Sequence, residues 1–259
     1  MIIVEHKGGL TTHDSVRTSV YGTDGKSAVK DESLIREYVL MIFINSKLSF
    51  KVVCTPTDLP ELVAGRLITE AGLVPSDIEK IDICRLGNSA KVTVRSEAFS
   101  SLRKEDFTGV PTCCTDNVNL IRTDEDLREL PAADFDISKI ELIRKKAEDD
   151  TGLHRITGSS HSALLMYEDR IVFEADDIGR HNAVDKAAGY LYIRDLDPSK
   201  AVIYTTGRMP TDMIRKVIRA RIPVLVSRQK PTVEGVELAL RYNLKLIGNL
   251  RPDSFKIYT

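Results

Sequence analysis

The sequence predicts an α/β protein in which a layered α/β domain follows a smaller N-terminal α+β subdomain. From residue 162 to residue 248, short apolar runs rich in β-branched residues alternate with helical patterns, as in a layered sheet with helices on its faces. Before residue 110, two predicted hairpins flank a single helix instead. The chain has 259 residues, 42% of them hydrophobic, which suits one large domain or two modest ones. We expect the two units to span residues 1–120 and 121–259.

The N-terminal unit starts with a segment of weak periodicity. Residues 1–30 are rich in Thr, Ser, Gly and charge, so we expect an irregular arm or an edge strand there, with clear order from Glu37 onward. The elements predicted after it are a hairpin of residues 39–44 and 48–54, a helix that begins after Thr57 or Asp58 and ends at Gly72, and a hairpin of residues 81–86 and 91–95.

The C-terminal unit follows a charge-dense connector at residues 122–130. A helix is expected from Asp136 or Ser138 to about residue 150. The elements predicted after it are a hairpin (162–167 and 170–175), then helix 181–193, strand 201–204, helix 210–220, strand 223–227, helix 232–242 and strand 244–248.

Charge and hydropathy narrow the classes of function. The 37 Lys and Arg residues balance 38 Asp and Glu residues, so no global basic field favours nucleic acid as a partner. The longest apolar run, residues 38–46, is under half of a membrane span, and the N-terminus lacks the pattern of a signal peptide. We therefore expect a cytoplasmic protein that binds neither nucleic acid nor membranes.

Three polar loops follow strands of the predicted layered sheet, at residues 176–182, 205–208 and 227–232. Each contains an Arg beside small or hydroxyl residues. Because ligands of open α/β sheets bind at the carboxyl ends of the strands, we expect these loops to form one rim. Residues 157–161 could join the same rim with hydroxyl groups and a His.

The first of these loops contains Gly-Arg-His-Asn at residues 179–182, where a strand-like run leads into a helix. Glycine lets the backbone approach a ligand closely, the free N–H groups of the helix start attract an anion, and the Arg and His side chains add donors. Gly207 and Arg208 repeat part of this pattern. The rim therefore predicts a ligand with several phosphates or a nucleotide.

Structural interpretations compete with this prediction. An isolated Gly-Arg at a helix start is usually a turn with a solvated Arg, which applies to Gly207 and Arg208. His161 could equally be a hydrogen-bonded core residue. Asp185 and Lys186 are expected most often on an exposed helix face.

The four cysteines separate into two classes. Cys54 and Cys84 lie inside apolar strand-like runs and are expected to be buried. Cys113 and Cys114 are adjacent in a polar, Gly- and Pro-containing segment, residues 108–117, that should be an exposed loop. A thiolate there could accept a sulfane sulfur as a persulfide, and the alternative is an incidental pair. No usual zinc spacing occurs, so we expect no bound metal ion.

Several runs of the sequence together form a specific pattern. The most specific is Asp-Ile-Gly-Arg-His-Asn-Ala-Val-Asp-Lys at residues 177–186. The other runs are residues 37–45, 55–59, 61–72, 157–163, 206–208 and 251–258. Together they resemble the formate dehydrogenase accessory sulfurtransferase (FdhD) family, over about residues 35–259.

The resemblance implies a sulfur carrier. Such a protein takes sulfur from a cysteine desulfurase and delivers it to the molybdenum cofactor, as bis-molybdopterin guanine dinucleotide, before insertion into the catalytic subunit of formate dehydrogenase. It also implies a cytidine deaminase-like larger domain and a homodimer. The residues assigned to the cofactor and its guanine nucleotide moiety are then Gly158, His161, Asp177, Gly179, Arg180, His181, Asn182, Lys186, Thr206, Gly207 and Arg208.

The cysteine loop departs from the family pattern. Most members have Cys-x-x-Cys, whereas here Cys114 aligns with the first cysteine and Asn117 with the second. We expect Cys114, with Cys113 as its neighbour, to carry the sulfur. A cofactor-binding chaperone without sulfur transfer is the alternative. A metal-dependent deaminase, suggested by the fold alone, lacks its ligand motif.

Overall fold

Two β-sheets enclose a pair of helices that cross in close contact. The structure is a computed structural model that describes residues 1–6, 10–102, 124–133, 135–149 and 152–259. Helix α1 packs on the first sheet and helix α5 on the second. The Cys113-Cys114 pair and the expected boundary at residue 120 lie outside the described residues. The helices are α1 (Leu59–Thr69), α2 (Ser96–Ser101), α3 (Ile140–Glu148), α4 (Leu153–Thr157), α5 (Arg180–Ile193), α6 (Thr211–Arg219) and α7 (Val233–Arg241).

The first sheet has the strand order β1-β6-β7-β4-β5 and forms one apolar core with α1. Its two hairpins, β4-β5 and β6-β7, confirm the predicted ones to within a few residues. The strands are β1 (Ile3–His6), β4 (Tyr38–Ile44), β5 (Lys47–Cys54), β6 (Ile78–Ile83) and β7 (Ser89–Val94).

The N-terminal segment is more regular than expected. Strand β1 pairs with β6 at the edge of the first sheet, as the edge-strand alternative predicted. The expectation that order begins near Glu37 is wrong, because β2 (His13–Tyr21) and β3 (Ser27–Ile35) form an antiparallel two-stranded ribbon. Both strands are largely exposed. An exposed ribbon shows no apolar and polar alternation, so the sequence pattern did not reveal it.

The second sheet has the order β13-β12-β11-β10-β8-β9 and confirms the α/β prediction for this half of the chain. Strands β10, β11 and β12 are parallel, and β8-β9 is the predicted hairpin. Helices α5, α6 and α7 cover one face, and α3 covers part of the other. The strands are β8 (His161–Tyr167), β9 (Arg170–Asp177), β10 (Ala201–Thr205), β11 (Val224–Ser227), β12 (Lys245–Gly248) and β13 (Lys256–Ile257).

Two glycines allow α1 and α5 to touch through their backbones. A Cβ atom on Gly65 would lie 1.8 Å from the carbonyl oxygen of Asp185, and one on Gly189 would lie 1.8 Å from that of Glu61. No larger residue fits at either position without separating the helices. The crossing therefore fixes which face of α5 is interior.

The longest described helix, α5, has 14 residues. None of the described helices combines the length and apolar character needed to cross a bilayer.

Candidate functional site

The predicted polar loops meet at one edge of the second sheet. Thr205, the last residue of β10, pairs with Ser227 at the end of β11 and with Ala163 near the start of β8. His161 at the start of β8 pairs with Asp177 at the end of β9. The expectation that these loops share one rim is confirmed by this register.

The turn from β9 into α5 is held from inside by Asp177. Its carboxylate accepts hydrogen bonds from the backbone N–H of Thr55 (3.0 Å) and Gly179 (2.9 Å), and from the side-chain amide of Asn182 (2.8 Å). Asp177 is fully buried, so these bonds are not in competition with water. The first half of the motif therefore ties the turn to the segment between β5 and α1.

Lys186 is also fully buried, so the expectation that it lies on an exposed helix face is wrong. Its Nζ lies 2.8 Å from Asp177 Oδ2 and donates to the carbonyl oxygens of Asp176 (2.9 Å) and Thr55 (3.2 Å). The glycine crossing brings α1 onto this face of α5, which is why a charged residue is covered there. Asp177 and Lys186 thus find partners within the protein and support the turn.

A second buried network lies deeper between α1, α5 and α6. Asp185 is fully buried, contrary to expectation, and accepts from Lys216 Nζ at 2.8 Å and from the Thr69 hydroxyl at 2.6 Å. Arg66 lies 2.9 Å from Glu70 and donates to Asn182 at 3.3 Å. Burial raises the pKa of Asp185. The sequence did not reveal this network, because its members come from three distant segments.

His181, in the first turn of α5, faces the first turn of α6. Its Nε2 lies 3.0 Å from Asp212 Oδ2, and His181 is 8% exposed. Burial alone would raise the pKa of Asp212, but the close contact with His181 and its charge outweigh burial and lower the pKa to about 2. Asp212 was not predicted, since a single Asp near a helix start is a common capping residue.

Arg180 and the loop after β10 lie together. A Cβ atom on Gly207 would be 2.9 Å from the Arg180 Cβ, so glycine there permits close approach of the two loops. The Thr206 hydroxyl contacts β8, where it lies 3.4 Å from His161 Nδ1 and donates to the carbonyl oxygen of Ser162 at 3.4 Å. Burial and the positive field of Arg180 lower the pKa of His161. Arg208 is exposed.

Gly158 lies at the exposed C-terminal end of α4, with a φ of 66°. This left-handed conformation explains the glycine, and no other described atom lies within 4 Å of an added Cβ. The structure therefore gives Gly158 a clear backbone role as a helix cap.

A cavity of about 430 Å³ opens beside this rim, on the α3 face of the second sheet. Arg251 is fixed at its mouth, where its Nη1 donates to the carbonyl oxygens of Arg228 (2.8 Å) and Leu250 (3.0 Å). The only acidic residue in the described lining is Glu174, which pairs with Lys146. The lining comprises Lys146, Ala147, His154, Ser160, His161, Ser162, Leu164, Glu174, Tyr204, Thr206, Arg228, Gln229 and Arg251.

The cavity suits an anion, because its cations outnumber its acids. The Ser160 hydroxyl is buried and has no hydrogen-bond partner among the described residues, so a ligand could use it. Sequence reasoning had included the loop of Arg228 in the rim but had not selected Lys146, His154 or Arg251 as binding residues. Those side chains come from α3, α4 and the segment after β12, and only the fold brings them together.

The described cysteines differ from each other. Cys54 is fully buried, as expected, and burial raises the pKa of its thiol. The expectation for Cys84 is wrong: it follows β6 in a turn and is partly exposed. Partial burial would raise the pKa of the Cys84 thiol, but hydrogen bonds from Ser89 and from neighbouring backbone groups outweigh it, so the pKa is lowered. Cys113 and Cys114 remain predictions, since they lie outside the described residues.

Within the described ranges, no three His, Cys, Asp or Glu side chains form a group that could hold a metal ion.

Comparison with known proteins gives a consistent family. The profile of the FdhD/NarQ family matches residues 35–259. A protein named sulfur carrier protein FdhD from Bacillus pumilus (strain SAFR-032) is 27% identical over 247 residues, which cover 91% of this chain and 92% of its own. One of the same name from Wolinella succinogenes is 29% identical over 238 residues, covering 90% of this chain and 82% of its own.

A solved structure shares the fold. A crystal structure of a protein provisionally assigned as a formate dehydrogenase accessory protein, from Desulfotalea psychrophila, superposes with a TM-score of 0.78. It is 24% identical and covers 96% of this chain and 97% of its own. The mixed α/β architecture is thus shared over nearly the whole chain.

Proposed function

The chain belongs to the FdhD/NarQ family, and we propose from this that it is a sulfur carrier. In this proposal it takes sulfur from a cysteine desulfurase and passes it to the molybdenum cofactor, in the bis-molybdopterin guanine dinucleotide form, for the maturation of formate dehydrogenase. Relatives of similar length are named sulfur carrier protein FdhD. The cytidine deaminase-like description of the larger domain and the homodimer remain predictions.

The observation that carries the proposal is the cationic cavity beside the strand-end rim. Its lining combines Lys146, Arg228 and Arg251 with two histidines, while one carboxylate, Glu174, opposes them. A molybdopterin guanine dinucleotide presents pyrophosphate groups, which such a cavity would bind through charge-assisted hydrogen bonds. Arg180 and Gly207 at the adjoining rim would approach the same ligand.

Cys114 is the proposed carrier of sulfur. Its thiolate would attack the outer sulfur of the desulfurase's cysteine persulfide. A new sulfur–sulfur bond forms on Cys114, the donor's sulfur–sulfur bond breaks, and the donor thiolate leaves with the electron pair. Cys113, the adjacent residue in the sequence, would assist Cys114 in this transfer. This first transfer needs no external oxidant or reductant, since the sulfane sulfur moves from one thiol to another. Its later release to the cofactor as sulfide takes two electrons, which a thiol reductant would supply.

Radiolabelled sulfur tests this role. The protein is incubated with a cysteine desulfurase and ³⁵S-cysteine, and protein-bound label is measured before and after a thiol reductant. We expect reductant-labile label on the wild type and its loss in Cys114→Ser. The matched control is Cys84→Ser, because Cys84 is the partly exposed thiol whose pKa is lowered. Undiminished label in a Cys113→Ser, Cys114→Ser double variant, or loss in Cys84→Ser, would refute the assignment.

The departure from Cys-x-x-Cys favours a second candidate, a chaperone that binds the cofactor without transferring sulfur. Cys114 and Cys113 are adjacent, and a disulfide between neighbouring residues is strained. The chaperone predicts that the double cysteine variant still supports formate dehydrogenase maturation in a strain that lacks the endogenous protein. The carrier predicts that it does not.

A further inference from the structure

His161 is a titratable side chain in the wall of the cationic cavity. It is the first residue of β8, and it lies partly buried among the residues that line the cavity. Histidine is the side chain whose ordinary pKa lies near neutral pH, so its surroundings decide whether it is charged there. The charge of His161 can therefore change when a ligand enters the cavity.

The groups closest to His161 favour its neutral form. Burial lowers the pKa of His161 below its ordinary value of 6.5, and nearby positive charges lower it further. These charges are Arg180 and His181 of α5 and His154 of α4. Asp177 acts in the opposite direction, but Lys186 Nζ lies 2.8 Å from its carboxylate and compensates its charge.

The other charged residues of the lining come from four further parts of the fold. Lys146 lies on α3, Glu174 on β9, and Arg228 and Arg251 follow β11 and β12. Glu174 pairs with Lys146, so the two arginines leave an excess of positive charge. In the free protein, His161 is thus a neutral group in a positively charged wall.

A hydrogen-bond acceptor for the charged form of His161 is already in place. The Thr206 hydroxyl oxygen accepts from the backbone N–H of Ser162 at 3.0 Å and donates to the Ser162 carbonyl oxygen at 3.4 Å. Because a hydroxyl oxygen can accept twice, it can also accept from His161 Nδ1, which lies 3.4 Å away. With the hydrogen on Nδ1, the neutral ring has a lone pair at Nε2, and one more proton makes Nε2 a donor.

The adjacent Ser160 independently indicates that this wall binds a ligand. Ser160 lines the cavity and is 5% exposed, and its hydroxyl has no hydrogen-bond partner among the described residues. Its carbonyl oxygen accepts from His154 Nδ1 at 2.7 Å, which fixes the backbone there. Ser160 and His161 therefore offer a ligand one unused hydroxyl and one ring nitrogen that protonation turns into a donor.

We propose that the cavity binds its anionic ligand together with one proton, which His161 takes up from solvent at Nε2. This inference rests on the proposed function, because it concerns the same cavity and the pyrophosphate groups expected there. A phosphate oxygen beside the ring adds a negative charge that favours the imidazolium, which then donates a charge-assisted hydrogen bond. The affinity rises as the pH falls through the pKa of His161 in the complex, and it levels off below the pKa in the free protein.

Calorimetric titration of the full-length protein with diguanosine pyrophosphate tests this coupling, because the charge of that probe is constant from weakly acidic to weakly basic pH. The affinity of the wild type should rise about tenfold between about pH 8 and about pH 5.5. His161→Gln keeps a hydrogen-bonding group that does not titrate, so it should lose this rise. The ratio of the two affinities is the readout, since a site that is merely weaker keeps its ratio. His6→Gln, at an exposed position in β1, is the matched control and should keep the rise.

Proton uptake by the wild type is a second measurement that needs no variant. Titrations near neutral pH in two buffers of different ionisation enthalpy should show protons taken up with the probe. Absence of uptake, or a rise that persists in His161→Gln, would overturn the coupling and leave the cavity as a cofactor site. A rise that is lost in His154→Gln but kept in His161→Gln would also overturn it. A probe that binds at no pH would overturn the cavity assignment and this inference with it.

Discussion

Lys186 Nζ and Asp177 Oδ2 lie 2.8 Å apart, and both side chains are fully buried. This ion pair joins the second turn of α5 to the end of β9. Asp177 also holds the turn that presents Arg180 and His181, through its bonds to Gly179 and the Asn182 side chain. An interior contact therefore decides where the predicted ligand-binding residues lie.

Replacing Lys186, the cation of this pair, should strongly lower the stability of the folded protein. We expect Lys186→Met to lower the free energy of unfolding by about 3–5 kcal/mol, because it leaves the buried Asp177 charge without compensation. Urea denaturation followed by circular dichroism measures the change. The matched control is Lys200→Met, which breaks an exposed pair with Glu168 and should leave stability nearly unchanged. Equal effects of the two changes would contradict the structural role of Lys186.

The glycine crossing reverses the usual effect of a helical Gly-to-Ala change. Alanine normally stabilises a helix interior, but a Cβ on Gly189 would lie 1.8 Å from the Glu61 carbonyl oxygen. Gly189→Ala should therefore destabilise the protein by about 3 kcal/mol. Gly158 has a φ of 66° and open space around an added Cβ, so Gly158→Ala should lower the free energy of unfolding by only about 1 kcal/mol. Thermal unfolding of both variants checks the order, and a stabilised Gly189→Ala would show that the helices do not touch there.

Asp212 should make stability depend on pH in the acid range. Its pKa falls from the ordinary value of 3.8 to about 2 in the folded protein, so the stabilisation is present above 3.8 and is lost as the pH falls toward 2. Asp212→Asn should be less stable than the wild type at neutral pH, and the difference should vanish near pH 2. Urea denaturation at a series of pH values measures it. A difference that stays constant over this range would contradict the pairing with His181.

The cavity cations should bind phosphate groups. We expect Arg251→Met to weaken the binding of guanosine diphosphate about tenfold or more, since a charge-assisted hydrogen bond contributes about 1.5–3 kcal/mol. Isothermal titration calorimetry measures the affinity. The control is Arg170→Met, which removes the same charge at the hairpin turn, away from the rim. If both variants bind equally well, the nucleotide does not use this cavity.

Local pattern was sufficient for most of the regular elements. The alternation of apolar runs and turn residues placed β4-β5, β6-β7 and the strands and helices from β8 to β12 within a few residues, because each of those elements buries at least one face. The ribbon of β2 and β3 buries neither face, so its sequence lacks that signal. Cys84 was misplaced by a single residue, since β6 ends at Ile83 and the following turn exposes the thiol.

By itself, the sequence determined the α/β class, the family resemblance and the loops that would share a rim, because strand periodicity and short motifs are local properties. Only the tertiary structure decided that Asp177, Asp185 and Lys186 are interior while Arg228 and Arg251 line a cavity. The physical reason is that burial of a charged residue depends on what packs against it. Here two glycines far apart in the chain, Gly65 and Gly189, bring α1 onto α5 and cover the charged half of the motif.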